Sequence, residues 1–533
     1  MPEDGELHRR LDSRWKATCR LFFGKEMGEL AKFEAWLKDE LEPLSAKKSI
    51  KSGKDVAAMG TYAQDAPFIS FDEIDYGMKF EPLSVNEIKD IDSIASALGE
   101  RAVYSGNIVL GNSSHVEQST GMEDSNFILA CHTMHKCQDL AYCTIGREVR
   151  DSFGSSLIGE SSFCIKSHNI WRAARCFCSY RIYESNDIAY SNYLNGCSDC
   201  MFCFGLKGKR HMIGNAPLGA AKCAEVRRKL MVEMAEELEK KGRAPSFLGI
   251  SPKTPLALAK PLKKTAPAPF DESKVQEAFD ETCTLVLGKK LGGVRGYRDY
   301  LARNIRGVRS VKSSVSDEPV YVGDYAIYWA LAKSGRITKL LEFEEICNER
   351  EWPEEISVEA LAMKNVPKLL EPIAVYTTEE NTFASNTAES STVHYANNIL
   401  GCNRAYHSKD CAYCSWPRDA DHMFGCESTR NSSFCINCYY SWKLSRCFEC
   451  DTSQNCTGSY FLHNCENVHD SMFCFNVKNL KYAVGNAEVG REEFLRLKAM
   501  LLSEITRSLA KSRNYGRSIY SLGKSTRASD TKI

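Results

Sequence analysis

The sequence predicts an α+β fold that is internally duplicated, with a short-period β-solenoid in each copy. Three observations predict it. Residues 161–219 align with residues 432–490 without a gap. Within each copy, cysteine or serine recurs at twelve-residue intervals. A Glu-, Leu-, Met- and Lys-rich segment then follows each repeat region, as an amphipathic helix would.

The duplication rests on identical motifs at equal spacing. SSFCI stands at 161–165 and again at 432–436, and MFCF stands at 201–204 and again at 472–475. Self-similarity of this kind is the signature of a repeated structural unit. The predicted domains are a helical and mixed region (1–95), a Cys-rich solenoid (96–219), a capping helix (220–241), a Pro-rich linker (242–272), a second helical and mixed region (273–373), a second solenoid (374–490), a second capping helix (491–512) and a flexible tail (513–533).

The mixed regions are predicted from apolar periodicity. Residues 24–42 and 288–306 carry apolar side chains at three- and four-residue spacing, which favours one helix in each. The linker contains six prolines, a density that favours an extended spacer. The tail is basic and rich in serine, which favours disorder.

The solenoids are predicted from columns of small residues. In rows of twelve, one column of the second copy contains only cysteines and one leucine: Cys402, Cys414, Cys426, Cys438, Cys450, Leu462 and Cys474. The matching column of the first copy mixes cysteine with serine. A backbone that coils over itself, with strands about 4.8 Å apart, would stack these residues in a narrow interior. The pattern fits a coil of twelve or of 24 residues.

Composition excludes several classes of protein. Lys plus Arg equals Asp plus Glu, 69 against 69, which argues against a nucleic-acid partner apart from a local basic patch. No apolar run is long enough to span a bilayer, and MPEDGELHRR is too charged for a signal peptide. The 24 cysteines therefore predict buried, reduced thiols in an intracellular protein.

The predicted metal candidate is a pair of CxxC motifs. Cys435, Cys438, Cys447 and Cys450 have the spacing of a four-thiolate zinc site. The twelve-residue columns explain the same cysteines as a dry ladder of thiols. In the first copy Ser167 stands where Cys438 stands in the second. The thiol ladder is therefore favoured and no cofactor is expected, with a zinc ion in the second copy as the alternative.

The predicted interaction candidate is a recurring Trp–Arg pair. Trp171 with Arg175, and Trp442 with Arg446, could bind a ligand by stacking and cation–π attraction, or could pack against a neighbouring element. No catalytic motif such as HExxH, GxSxG or a P-loop occurs. No catalytic residue is therefore predicted.

Residues 194–219 and 465–490 resemble a repeat found in uncharacterised Cys-rich proteins of microbial and viral sequence collections. That repeat has a Phe-Cys pair, a Lys- and Tyr-rich turn, a Gly- or Phe-Asn step and a Glu-rich helix. The resemblance covers only these two segments. It implies a solenoid-like fold and no established activity.

The favoured function is a non-enzymatic structural or protein-interaction component, such as part of a viral or microbial assembly, with the two copies acting as a pseudo-dimer. Two alternatives stay open. One is a zinc-binding module that contacts nucleic acid or protein, and the other is a carbohydrate-active enzyme on a β-helix scaffold.

Overall fold

The computed structural model describes residues 4–84, 88, 90–252, 254–258, 262, 269–349 and 361–522. The α-helices are α1 Asp4–Phe23, α2 Glu34–Lys38, α3 Ile91–Leu98, α4 Ala220–Lys241, α5 Glu272–Leu287, α6 Arg298–Ala302, α7 Ala326–Ala332, α8 Leu340–Glu349, α9 Val366–Leu370 and α10 Arg491–Ser512. Within the described ranges, no helix has both the length and the apolar character that crossing a membrane requires.

Most strands are short and lie in two stacks of parallel coils. Before the first stack are β1 Ser45–Lys48, β2 Asp55–Ala58, β3 Phe68–Ser70 and β4 Tyr104–Gly106. The first stack contains β5 Val109–Leu110, β6 Ser114–Glu117, β7 Thr120–Glu123, β8 Asn126–Leu129, β9 His132–His135, β10 Gln138–Ala141, β11 Thr144–Arg147, β12 Arg150–Phe153, β13 Ser156–Gly159, β14 Ser162–Ile165, β15 His168–Trp171, β16 Ala174–Phe177, β17 Tyr180–Tyr183, β18 Asn186–Ala189, β19 Asn192–Asn195, β20 Ser198–Met201, β21 Arg210–Ile213 and β22 Ala216–Pro217.

Along the chain, β23 Val308–Lys312 and β24 Pro319–Gly323 come between the two stacks. The second stack contains β25 Glu380–Thr382, β26 Ser385–Ala388, β27 Thr392–His394, β28 Asn397–Leu400, β29 Arg404–Ala412, β30 Ser415–Phe424, β31 Ser433–Ile436, β32 Trp442–Asp451, β33 Gln454–Thr457, β34 Tyr460–His463, β35 Met472–Phe475, β36 Ala483–Val484 and β37 Ala487–Glu488. We call residues 4–258 the amino-terminal half and residues 269–522 the carboxy-terminal half.

Each coil contains twelve residues. Strand β14 pairs in parallel with β16, so that Cys164 lies beside Cys176, and β16 pairs with β18, so that Cys176 lies beside Ile188. The even-numbered strands of the first stack form one sheet together with β21, and the odd-numbered strands from β5 to β19 form another. In the second stack the long strand β32 pairs with both β33 and β34, which joins the two sides in one sheet. The alternative of a 24-residue coil is thereby excluded, and the architecture is consistent with a β-solenoid.

Within a coil, every third side chain lies in the interior. Cys176, Ser179, Ile182 and Ser185 are buried at this spacing. The residue before most interior positions has a left-handed backbone, as at Arg175, where φ is 55°. This conformation costs a non-glycine residue about 1–3 kcal/mol and needs compensation from its surroundings. Backbone hydrogen bonds to the preceding coil supply it, as between the Cys178 N–H and the Ile165 carbonyl.

A column of apolar side chains covers the outer side of each stack. In the first stack it consists of Leu129, Ala141, Phe153, Ile165, Phe177, Ala189, Met201 and Ile213, all in one core cluster with α1 and α4. In the second stack it consists of Leu400, Ala412, Phe424, Ile436, Phe448, Tyr460, Met472 and Val484, in a cluster with α5 and α10. Helices therefore bury the outer side of each stack.

The two halves exchange elements. The second stack's outer cluster contains Val56, Phe68 and Tyr104 from the amino-terminal half. The first stack's outer cluster contains Val320 and Tyr376 from the carboxy-terminal half. Each half thus contributes to the core of the other.

The helices in 24–42 and 288–306 are shorter than the predicted ranges, and the long helices α1 and α5 precede them. The long helix α1 ends before Gly24, and α5 ends at Gly288, where φ is 77°. The predicted ranges contain only short turns, including α2 and α6. Glycines with left-handed backbones end both α1 and α5, and the apolar spacing continues through the short helices that follow.

The helices predicted as caps begin directly after each stack and lie on its outer side. Near the start of α4, the Cys223 thiol donates to the Asp199 carbonyl. The ends of the stacks instead contact the other half. A Cβ at Gly485 would lie 2.8 Å from Leu83, and one at Gly214 would lie 2.9 Å from Leu369.

The predicted linker and tail are packed where the structure describes them. Ala244, Phe247 and Ile250 belong to the first outer cluster, although their segment was expected to be an extended spacer. Ile519 and Tyr520 are buried in the second outer cluster, although their segment was expected to be flexible. Residues 523–533 of the predicted tail lie outside the described residues.

Candidate functional site

The interior serines and cysteines link each coil to the next. The Ser191 hydroxyl donates to the Ala189 carbonyl at 2.9 Å and accepts from the Cys203 N–H at 3.0 Å. Cys414 does the same with sulfur: its thiol donates to the Ala412 carbonyl and accepts from the Cys426 N–H at 3.4 Å. At the interior positions that hold serine or cysteine, the side chain is therefore small and also hydrogen bonds, whereas the sequence pattern indicated only smallness.

We expect Ser191→Ala to lower the free energy of unfolding by about 1–3 kcal/mol, because it leaves the buried Cys203 N–H without its acceptor. Ser191→Cys should cost less, since cysteine fills this role at Cys414. Urea unfolding measures both, with the outward Ser162→Ala as control. An alanine variant as stable as the wild type would mean that size alone matters.

All 24 cysteines lie in the described part of the chain and none of them forms a disulfide there; every one except Cys347 is buried. Burial raises the pKa of the Cys137 and Cys474 thiols to about 12 in each case. A thiol with such a pKa is protonated at neutral pH and reacts slowly, because the thiolate is the nucleophile.

We expect a disulfide-exchange reagent at pH 8 to react quickly with Cys347 at most in the native protein, and with all 24 thiols after denaturation. Absorbance of the released thiolate measures both counts. Cys347→Ala is the control and should remove the fast reaction. Far fewer thiols in denatured, unreduced protein would reveal disulfides and contradict the free-thiol arrangement.

The four predicted zinc ligands lie in neighbouring coils of the second stack. Cys435 pairs with Cys447 across adjacent strands. Cys438 and Cys450 occupy the next interior column, and all four side chains are fully buried. Each thiol donates to a backbone carbonyl, as Cys450 does to Phe448. The zinc site stays a prediction.

One group of metal-binding side chains is more tightly gathered. Among the described residues, one carboxylate oxygen each of Glu123 and Asp124 and one ring nitrogen of His135 lie within 4.8 Å of one another. Arg430 already pairs with Glu123 at 2.5 Å. Glu123, one of the three side chains, is therefore already held in an ion pair between the halves.

The predicted Trp–Arg pairs have separate partners. The ring of Trp171 lies against Gly159 and beneath Arg172. Arg175 instead forms two hydrogen bonds to Asp187 of the next coil, at 2.7 and 2.6 Å. In the second stack Trp442 lies beneath Arg430, at 5.4 Å, and Arg446 is exposed.

A Ser–His–Asp arrangement lies where the halves meet. The Ser105 hydroxyl is 3.1 Å from His463 Nε2, and His463 Nδ1 is 2.8 Å from Asp451. This is the order of groups in a hydrolase triad. Sequence spacing gives no signal for it, because Ser105 and His463 are 358 residues apart.

The surroundings of this arrangement make it a structural link. His463 Nε2 accepts the Ser105 backbone N–H at 2.8 Å, so its lone pair is not free for the serine proton. Asp451 also accepts from Tyr62 and Tyr520. Ser105 is only 3% exposed, which leaves no room for a substrate. The other copy does not repeat this arrangement. The residues aligned with Ser105, His463 and Asp451 are Thr377, Asn192 and Tyr180, respectively.

A second link between the halves is charged. The buried Arg181 donates to the Thr378 and Glu379 carbonyls at 2.7 and 2.8 Å. Beside it, Glu380 accepts from Tyr183 at 2.9 Å. Burial alone would raise the pKa of Glu380, but its hydrogen bond to His394 and the nearby charges lower it to about 2. Glu380 is therefore ionised at neutral pH.

An exposed aromatic ladder stands on the first coils of the second stack. We define the aromatic ladder as Phe383, Tyr395 and His407, which follow one another at twelve-residue spacing. Their rings stack at 5.1 and 4.9 Å. Phe383 is 78% exposed and Tyr395 53%. In the first stack, the residues that align with Tyr395 and His407 are Asp124 and Lys136. Sequence analysis missed this ladder, although its spacing is visible in the rows of twelve.

The sequence matches no protein-family model, and comparison with curated proteins and with solved structures gives no match either.

Proposed function

We propose that the chain is a non-enzymatic structural or protein-interaction component, in which a duplicated unit forms a pseudo-dimer within a reducing compartment. The observation that carries the proposal is the aromatic ladder. It is an exposed, ordered row of rings on a stack whose interior is filled. Large exposed aromatic side chains commonly mark contact with a partner protein.

The filled interior supports a structural role. Interior side chains of the second stack, such as Ile399, Cys411 and Leu462, form one continuous cluster. Stacked coils of this kind hold surface side chains in fixed register. The rings of the aromatic ladder are therefore ordered before a partner arrives, which lowers the entropic cost of binding.

The reciprocal contacts support the pseudo-dimer. Tyr62 and Ser105 of the amino-terminal half bind the second stack, and Thr378 of the carboxy-terminal half binds the first. Each contact buries polar groups that need their partners from the other half. The aligned motifs at 161–165 and 432–436 support the duplication. The absence of disulfides among buried cysteines supports a reducing compartment.

The test uses Phe383→Ser with Tyr395→Ser in the full chain. We expect a defined protein partner to co-purify with wild-type chain from its native cells, and purified partner to bind the variant at least tenfold more weakly. Ile50→Ser is the matched control, because Ile50 is also 63% exposed but lies outside the aromatic ladder.

Equal partner binding by the variant and the wild type would overturn the role of the aromatic ladder. Turnover of a substrate by the purified chain, lost on substitution of a named residue, would overturn the non-enzymatic proposal.

A further inference from the structure

A cavity of about 590 Å³ opens between α4, the end of α1 and the last coils of the first stack. Phe22, Phe23 and Met231 form its apolar wall. Cys223 lies at its base and is 1% exposed. Its size is that of a small-molecule site.

The carboxy-terminal half fills the corresponding space with its own side chains. Helices α4 and α10 each follow a glycine and align residue by residue, so Phe494 stands where Cys223 stands and Leu495 where Ala224 stands. Phe494 is fully buried, and its ring lies 5.8 Å from that of Tyr482. The fold therefore does not require the cavity, and a phenyl ring fits this place.

A cation accompanies the ring in the filled half. Lys498 Nζ lies 5.0 Å from the Tyr460 ring and 5.9 Å from the Phe494 ring. Arg227 takes the place of Lys498 in the amino-terminal half and lines the cavity. Guanidinium groups attract aromatic rings in the same way. The lining is thus suited to an aromatic ring supplied from outside.

The charges of the lining favour an anion. The lining contains two guanidinium groups, those of Arg227 and Arg228, and one carboxylate, that of Asp199. The Asp199 carboxylate lies 3.6 Å from His211. Behind the guanidinium groups, Asp187 is already paired with Arg175 at 2.6 Å. Arg227 also donates to the Asp187 carbonyl, whereas Arg228 is exposed at the rim. Arg228 is therefore placed to bind a negative group.

We propose that this cavity binds a small molecule that carries an aromatic ring and an anionic group. The ring lies against Phe22 and Phe23 above Cys223, and the anionic group meets Arg228. This site is separate from the aromatic ladder and does not depend on the proposed function.

The test compares two fluorescent probes that share an aromatic body. One is 1-anilinonaphthalene-8-sulfonate, an anion, and the other is neutral N-phenyl-1-naphthylamine. We expect the wild type to bind one molecule of either probe at this site. Cys223→Phe with Ala224→Leu copies the filled half and should abolish binding of both at this site, as measured by fluorescence titration and calorimetry.

Arg228→Ala should weaken binding of the anionic probe about tenfold and leave the neutral probe within twofold, because one charge-assisted hydrogen bond is lost. Lys229→Ala, the next residue on α4, is the matched control and should change neither. The proposal would be overturned if the Arg228→Ala variant bound the anionic probe with the same affinity as the wild type. Undiminished binding by a folded filled variant, or no binding by the wild type, would also overturn it. If the variant with Cys223→Phe and Ala224→Leu does not fold, the substitutions of Arg228 and Lys229, which are at the surface, still test the proposal.

Discussion

Asp451→Ala should lower the free energy of unfolding by about 3–5 kcal/mol, because it removes the acceptor for three donors, two of them buried and one half-buried. His463, Tyr62 and Tyr520 all direct hydrogen bonds at this carboxylate, at 2.8, 2.8 and 3.1 Å. Tyr62 belongs to the other half of the chain. The substitution should therefore weaken the contact between the halves as well as the second stack.

Urea unfolding followed by circular dichroism measures this effect. Asp419→Ala is the control: Asp419 is an exposed residue of the same stack, and its loss should cost less than about 1 kcal/mol. A cost for Asp451→Ala as small as that of the control would show that the buried donors find other acceptors. The link assigned to Ser105, His463 and Asp451 would then be wrong.

Gly425→Ala should cost about 2–4 kcal/mol, because the glycine combines a left-handed backbone with a close contact. Its φ is 69°, and an added Cβ would lie 2.6 Å from the Leu301 carbonyl oxygen. In the amino-terminal half, a Cβ added at Gly154 would likewise lie 2.7 Å from the Leu37 carbonyl oxygen. These glycines let the short helical turns approach the outer side of each stack.

Gly208→Ala is the matched control for this substitution. Gly208 has a φ of 62° with no atom within 4 Å of an added Cβ, so only the backbone term remains, about 1 kcal/mol. Thermal unfolding of the two variants separates the two causes. Equal losses of stability would mean that the contact with Leu301 contributes nothing.

The stacks could be predicted from the sequence because their spacing is local. Cys402, Cys414 and Cys426 lie one above another, and their twelve-residue spacing is visible in the sequence. The coil length was ambiguous because a column is compatible with one or two rows per turn. The outer apolar column follows the same spacing, directly after an interior column, and could have been found in the same rows.

The contacts between the halves could not be predicted. Ser105 and His463 carry no motif, and only the folded chain brings them together. The cavity beside α4 was equally hidden, because it depends on Cys223 being small where the buried Phe494 is large. The apolar periodicity of residues 24–42 did not locate the long helix α1, because α1 ends at Phe23 and the left-handed Gly24 follows it.

The exchange of elements has a consequence for synthesis of the protein on the ribosome. Ser105 leaves the ribosome long before His463, since 358 residues separate them. At 5–20 residues per second, the delay is roughly 18–70 s. Throughout that time strands β2 to β4 lack the surface they cover in the finished protein. A newly made chain therefore exposes Val56 and Phe68 until the second stack has been made, and a chaperone that shields apolar segments can act in this interval.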